Sequence, residues 1–230
     1  MTELKVVPMS VEYVDHLGSD LNVVNAARVS FAKEVTEFDL DKDVKLINYL
    51  ARNNHWSPFA HTAVTIRVKA PIFMARQFVK HQIGLVWNEE SRRYIADTPE
   101  FYIPDVWRGK PVNAKQGSSD EVVETGFWRE VENYYSVSGR VVEHTKSSLV
   151  LYEGMLGAGV APEQARMVLP QNVMTNWVWT GSLVAFARVC KLRLENHAQK
   201  EAQELARLIN DVVAPLYPVS WSALMNKTVF

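Results

Sequence analysis

One short window, Arg76 to Tyr94, reads RQFVKHQIGLVWNEESRRY and packs together Arg76, Gln77, Lys80, His81, Gln82, Asn88, Glu89, Glu90, Ser91, Arg92 and Arg93. Cations and amides this closely spaced suit an anion such as phosphate, with an amide-rich heterocycle beside it. The same window also reads as an exposed helix end running into a solvated, charged loop. His55, Ser57 and His61 lie in HWSPFAHT, across a turn that contains proline. Two histidines there form either a loop-to-strand boundary or a weak metal motif, without the close pairs and extra Cys or His ligands of zinc centres. Arg193 and His197 share a helix face at i, i+4 spacing. Arg166 precedes Met167, Val168 and Leu169 on a helix expected to be partly buried. A buried arginine needs an anionic partner, from the protein or from a ligand. Trp56, Trp87, Trp177 and Trp179 are close in sequence to these clusters and serve equally well as stacking platforms or as core.

These side chains have to be positioned by regular elements. Pro71 opens the apolar run PIFMA, and proline favours a first helical turn, so a helix is predicted from Pro71 to about Gln82. Its i, i+3 and i, i+4 pairs bring Gln77, Lys80 and His81 onto one side. Just before it, HTAVTIRVK from His61 to Lys69 alternates apolar and polar residues, as a strand does. Leu4 to Tyr13 reads as a first strand. Asp20 to Arg28 reads as a helix capped by Ser19. Asp41 to Arg52 forms a second helix, with Val44, Ile47 and Leu50 in a stripe. Ser91 to Ile95 reads as a short strand. Thr98 to Asp120, with its prolines and glycines, reads as a long surface loop. Glu121 to Gly154 is read as mostly helical, and PEQARMVLP as a helix opened by Pro162 and ended by Pro170. Thr180 to Asp211 is predicted as one long amphipathic helix burying Leu183, Phe186, Val189, Leu194, Leu205 and Ile209. The fold class is therefore mixed α and β: a central, mostly antiparallel sheet flanked by helices, with a helix-rich C-terminal half.

The bulk properties narrow the function. The chain has 230 residues, 47% hydrophobic and 22% charged, ordinary for a soluble globular protein and enough for one large domain or two small ones, of which a single domain spanning 1–230 is the expectation. The formal net charge of −1 leaves no global basic field for nucleic acid, so the local basic cluster fits a small anion better. No apolar run approaches the ~20 residues that span a bilayer, and no signal peptide is apparent. A cytoplasmic protein with no membrane partner is expected. The single cysteine, Cys190, fits a reducing compartment and reads as a small core residue rather than a nucleophile.

Four blocks, in order, resemble the flavin-dependent thymidylate synthase family. They are ARVSF (Ala27 to Phe31), HWSPFAHT through VKAPIFMARQ (His55 to Gln77), KHQIGLVWNEESRRY, and EQARMVLP with the downstream LRLENHAQKEAQ. The third resembles the family's signature of Arg-His-Arg, a spacer, then Ser. The likeness runs from about residue 26 to 205. It departs from the family in reading Lys80-His81-Gln82 for Arg-His-Arg, with one extra residue before Asn88-Glu89. Ala60 replaces a glutamate, and Arg188 replaces a helical asparagine.

The resemblance implies reductive methylation of dUMP to dTMP, with methylene-tetrahydrofolate as carbon donor and NADPH reducing a bound FAD. It implies a homotetramer with shared active sites and no enzyme nucleophile on the pyrimidine. On the cofactor side it assigns Ser30, His55, Ser57, Lys80, His81, Gln82, Asn88, Glu89, Arg188 and His197. On the dUMP side it assigns Gln77, Lys80, Glu89, Glu90, Ser91, Arg92, Arg93, Arg166 and Arg193. Arg193, Ser91 and His55 would stand at the reacting centre, and no metal is implied. The altered triplet and Ala60 leave a second reading, a non-catalytic dUMP-binding relative that has lost flavin. A metal-dependent hydrolase built on His55 and His61 is a third.

Overall fold

The computed structural model describes residues 3–112, 117–127 and 134–226. Along the chain these form β1 (Lys5–Val6), β2 (Ser10–Leu17), α1 (Asp20–Arg28), α2 (Lys42–Arg52), α3 (Ser57–Ala60), β3 (Ala63–Pro71) and α4 (Ile72–Phe78). Next come β4 (Leu85–Glu89), β5 (Glu100–Phe101), β6 (Thr125–Phe127), β7 (Tyr134–Ser136), α5 (Val137–Gly157) and α6 (Pro162–Ala165). The chain ends in β8 (Met174–Ser182), α7 (Leu183–Arg193), α8 (Lys200–Val213) and α9 (Pro218–Met225). The fold is mixed α and β. An antiparallel four-stranded sheet in the order β2-β3-β8-β4 sits among helices that dominate the C-terminal half, as the residue patterns predict.

The chain divides into two compact units. One comprises Met1–Met9, Lys69–Phe78 and Glu89–Asn176; the other comprises Ser10–Val68, Val79–Asn88 and Trp177–Phe230. Strands β3, β4 and β8 each continue along the chain from one unit into the other.

In the first unit, Phe101, Leu149, Tyr152, Ala165 and Val173 form a buried cluster, with Ile72 and Leu169 packed against it. Strand β1 pairs in parallel with β5, and Glu100 bridges Lys5 and Lys69. Ser136 caps α5 by accepting from the Gly139 amide, at 3.0 Å.

In the second unit, α8 packs on α7 and β2, and α9 packs on α2 and α7. Alternate residues of β3, Val64, Ile66 and Val68, are fully buried. Asp20 is buried and accepts from the Val219 and Ser220 amides, at 3.0 and 2.8 Å, which caps α9. The Tyr217 hydroxyl lies 2.8 Å from the Leu17 carbonyl oxygen and 3.1 Å from that of Ala63. Burial, with the nearby Tyr13 and Asp20, pushes its pKa up to about 12. Cys190 is buried on α7, its thiol facing the Ala206 carbonyl of α8, and burial pushes the thiol far above its ordinary range.

Several boundaries differ from the residue patterns. The span Thr180 to Asp211 is not one helix: β8 runs to Ser182, and the chain breaks between Arg193 and Lys200. Gln203 stabilises that break by donating to the Ala198 carbonyl at 2.9 Å. Leu4 to Tyr13 divides between β1 and β2. The strand expected at Ser91 to Ile95 lies earlier, as β4, and Tyr94 instead closes a turn onto the Ser91 carbonyl. The helix expected from Glu121 is preceded by the β6–β7 hairpin, and residues 128–133 of that span lie outside the described residues. Within the expected loop Thr98 to Asp120, of which residues 113–116 lie outside the described residues, β5 forms, Arg108 makes a bridge with Val122, and Trp107 donates to Ser138 at 2.9 Å. Among the described residues no helix is long and apolar enough to cross a membrane.

Candidate active site

The first unit holds a cleft of about 110 Å³. Its lining includes Glu89, Glu90, Ser91, Arg92, Arg166 and Thr175, over an apolar wall of Ile72, Leu169, Val173 and Met174. Sheet geometry sets the acidic side. The Glu90 amide donates to the Asn176 carbonyl at 2.9 Å, so the chain leaving β4 stays paired with β8. Thr175 Oγ1 then donates to Glu89 Oε1 at 2.9 Å, and Asn176 Nδ2 donates to Glu90 Oε2 at 2.7 Å.

The basic side carries donors. Arg92 is tied to the Asp97 carbonyl through one guanidinium nitrogen, at 2.9 Å, while its Nε is buried without a hydrogen-bond partner. A buried donor left unmatched within the protein is costly, and an anion oxygen would satisfy it. Arg166 is exposed rather than partly buried; the buried neighbour is Ala165. Its Nε donates to the Glu163 carbonyl at 3.2 Å, at the junction of α6 and a following 3-10 turn. Arg93 reaches Ser91 Oγ with its Nε at 3.1 Å and lies 5.0 Å from the Tyr94 ring centroid. Gln77, on α4 in the same unit, is half-buried.

The second unit holds a cavity of about 200 Å³ between α2, the turn that precedes α3, α7 and α9. Its lining includes His55, Trp56, Arg188 and Lys191, over Leu50, Val184, Ala187 and Leu224. His55 stands edge-on to Tyr49, with ring centroids 5.7 Å apart, and the preceding turn places Asn54 at a φ of 58°. An apolar floor with a cationic and aromatic rim fits a molecule that is flat at one end and anionic at the other. A separate groove of the same unit has Asn22, Asn25, Val29, Lys33, Glu34 and His61 in its lining, beside the turn that carries Ser30.

The same unit brings His81 and Arg193 together. Arg193 Nε donates to His81 Nε2 at 3.0 Å. Burial first, and the Arg193 charge second, hold the His81 pKa below its ordinary 6.5. Burial also lowers that of Arg193. Lys80, Gln82, Asn88 and His197 are exposed, and so is Ser57, in the short helix α3. Trp87 stacks on the buried Trp177 with centroids 4.2 Å apart, so this ring is occupied by a neighbouring tryptophan.

The structure thus gathers Glu89, Glu90, Ser91, Arg92 and Arg166 at one cleft, and His55 and Arg188 at another. Residue types alone did not single out Thr175, Asn176 and Lys191. The first two look like ordinary polar strand residues, and a lysine on α7 looks like a solvated charge. Among the described residues, no three of His, Cys, Asp and Glu are grouped as metal ligands would be.

A family model described as thymidylate synthase complementing protein matches residues 12–219. The chain is 37% identical over 216 residues to a flavin-dependent thymidylate synthase of Thermotoga neapolitana, covering 94% of this chain and 90% of that protein. A flavin-dependent thymidylate synthase of Thermus thermophilus is 36% identical over 213 residues, 93% of this chain and 74% of that one. Among solved structures, the UMP/dUMP methylase PolB from Streptomyces cacaoi, bound with 5-Br dUMP, is similar with a TM-score of 0.80. It is 31% identical, over 97% of this chain and 98% of that one.

Proposed function

Because the chain belongs to the flavin-dependent thymidylate synthase family, we propose that it converts dUMP to dTMP by reductive methylation. It is an enzyme of the methyltransferase class. In this reading methylene-tetrahydrofolate donates the carbon, NADPH is the reductant, and the whole chain works as one domain within a homotetramer whose sites are shared.

The observation that carries the reading is the cleft of the first unit. Arg92 Nε is buried without a partner beside Ser91 and Arg166, and a nucleotide phosphate would satisfy it. Glu89 and Glu90, held by Thr175 and Asn176, offer acceptors to the donors of the same nucleotide. Gln77, Lys80 and Arg93 complete the proposed dUMP set. Ser91 Oγ is 3.1 Å from an arginine Nε, and arginine cannot act as a base, which favours Ser91 orienting dUMP over attacking it.

FAD would be held by Ser30, His55, Ser57, Lys80, Gln82, Asn88, Glu89, Arg188 and His197; His81, which the resemblance adds to this set, accepts instead from Arg193. The cavity of His55, Trp56, Arg188 and Lys191, at about 200 Å³, has room for one part of such a molecule, with cations at its rim for a phosphate and an apolar floor for a ring. When bound and reduced, FAD supplies the reducing equivalents. Arg193 presents a fixed cation to the carbonyl edge of the pyrimidine, where negative charge develops. Lys80 keeps a charge but lacks the bidentate fork of arginine, and Gln82 keeps only hydrogen bonding.

The test is conversion of dUMP to dTMP, followed by mass spectrometry, with methylene-tetrahydrofolate and NADPH, with and without FAD. FAD-dependent product is expected. Folded protein that binds dUMP and forms no product overturns the reading. UMP belongs in the assay as a second acceptor, since the structural neighbour is a UMP/dUMP methylase.

A further inference from the structure

We infer that His81 is a positioning residue for Arg193: its imidazole accepts from the guanidinium and fixes where that cation is presented, an assignment that rests on the proposed methyl transfer. Arginine has donors and no acceptor, so the imidazole must supply the lone pair. With Nε2 accepting, the neutral ring carries its proton on Nδ1.

The backbone around His81 is built to hold this geometry. The turn after it places Gly84 at a φ of 76°, a conformation that favours glycine. A Cβ on Gly84 would meet Ala185 Cβ at 3.1 Å and Ser182 Oγ at 3.2 Å. A Cβ on Gly181 would press on Leu85 Cδ2 and stand 2.8 Å from the Gly84 carbonyl oxygen. The Ser182 amide donates to that same oxygen at 3.1 Å. The turn is therefore seated without spacer atoms on the junction of β8 and α7. Helix α7 carries Arg193 in its last turn. Two side chains far apart in sequence are thus held by one rigid joint, which is how a site keeps a cation aimed before its ligand arrives.

The exposure pattern supports the same assignment. Lys80 and Gln82 are exposed, while His81 between them is half-buried. Of the triplet, the histidine is the member turned toward Arg193, and the two positions that depart from the family face outward. A direct cofactor contact by His81 is the competing role.

A double-mutant cycle separates the two. His81→Ala, His81→Gln, Arg193→Ala and the His81→Ala/Arg193→Ala pair are assayed for dTMP formation at saturating FAD and folate. FAD affinity is measured in parallel by flavin fluorescence. His81→Ala is expected to lower kcat roughly 10- to 100-fold, the scale of one hydrogen bond to a charged group, with FAD affinity unchanged. His81→Gln, which keeps an acceptor oxygen, should recover most of that loss. The double variant should be no slower than Arg193→Ala alone. Losses that multiply in the double variant, or a fall in FAD affinity that matches the loss in rate, overturn the assignment.

One readout is independent of activity. The Arg193 Nε–H resonance, identified by its loss in Arg193→Lys, should be protected from water exchange in the wild type and unprotected in His81→Ala. Equal protection in both overturns the pairing. A wild type that forms no dTMP but shows a His81-dependent resonance overturns the functional reading and not the pairing.

Discussion

Thr175 Oγ1 donates a 2.9 Å hydrogen bond to Glu89 Oε1, so a residue of β8 fixes a carboxylate at the end of β4 that lines the cleft proposed to take the nucleotide. Thr175→Val keeps the shape and removes the donor. Glu89 is exposed, so its carboxylate should turn to water at little cost in stability. The expected result is dUMP binding weakened by roughly tenfold with an unchanged Tm, measured by titration calorimetry and thermal denaturation. An unchanged Kd would show that the orientation of Glu89 does not matter to the nucleotide.

Arg166→Ala and Arg193→Ala should each abolish most dTMP formation while the fold is retained. Arg166 is exposed, with its Nε on the Glu163 carbonyl, so its removal should change stability by no more than about 0.5 kcal/mol. Circular dichroism and urea unfolding check the fold, and steady-state rates check the activity. Full activity in either variant would remove that residue from the site.

The environment of His81 ties stability to pH. Burial and the Arg193 charge hold its pKa below 6.5 in the folded protein, so between that lowered value and about 6.5 the unfolded chain binds more protons. Stability should therefore rise with pH across this window. The contribution is present above about 6.5 and lost as pH falls through the folded pKa. Urea unfolding of wild type and His81→Gln between pH 5 and 7.5 should show this slope in the wild type and a shallower one in the variant. Parallel slopes would assign the pH dependence to other groups.

Asp20 accepts from two backbone amides at the start of α9. Asp20→Ala should destabilise the protein by about 1–3 kcal/mol, since it leaves buried donors unmatched. A lowered urea midpoint with an unchanged m value is the expected signature. A change below about 0.5 kcal/mol would mean that solvent replaces the cap.

Local chemistry explains which parts were legible. The Ser19 cap with α1, the striped α2 and the alternating β3 carry strong local signals, and the structure places them within a few residues of expectation. The break between α7 and α8 was hidden, because the stretch from Leu194 to Gln199 contains no Gly or Pro and the apolar stripe resumes in register beyond it. What makes the break is a side chain from the next turn, Gln203, donating back to the Ala198 carbonyl. Strand β8 was hidden by its neighbours. Its buried Trp177 and Trp179 alternate at strand period, but the helical run of α7 begins immediately after Ser182. In the site, the Glu89 to Arg92 cluster was visible as unusual charge density. Thr175 and Asn176 act only through their register opposite β4, and register belongs to the assembled sheet.

Cys190 has a practical consequence. It is the single thiol of the chain, sealed on α7 against α8 and held protonated by burial. The thiolate is the reactive form, so alkylating reagents should pass over the native protein. Labelling then requires α7 and α8 to separate, and the rate of adduct formation becomes a clock for opening of the second unit. The same silence leaves any cysteine introduced on the surface as the sole attachment point for a fluorophore or spin label.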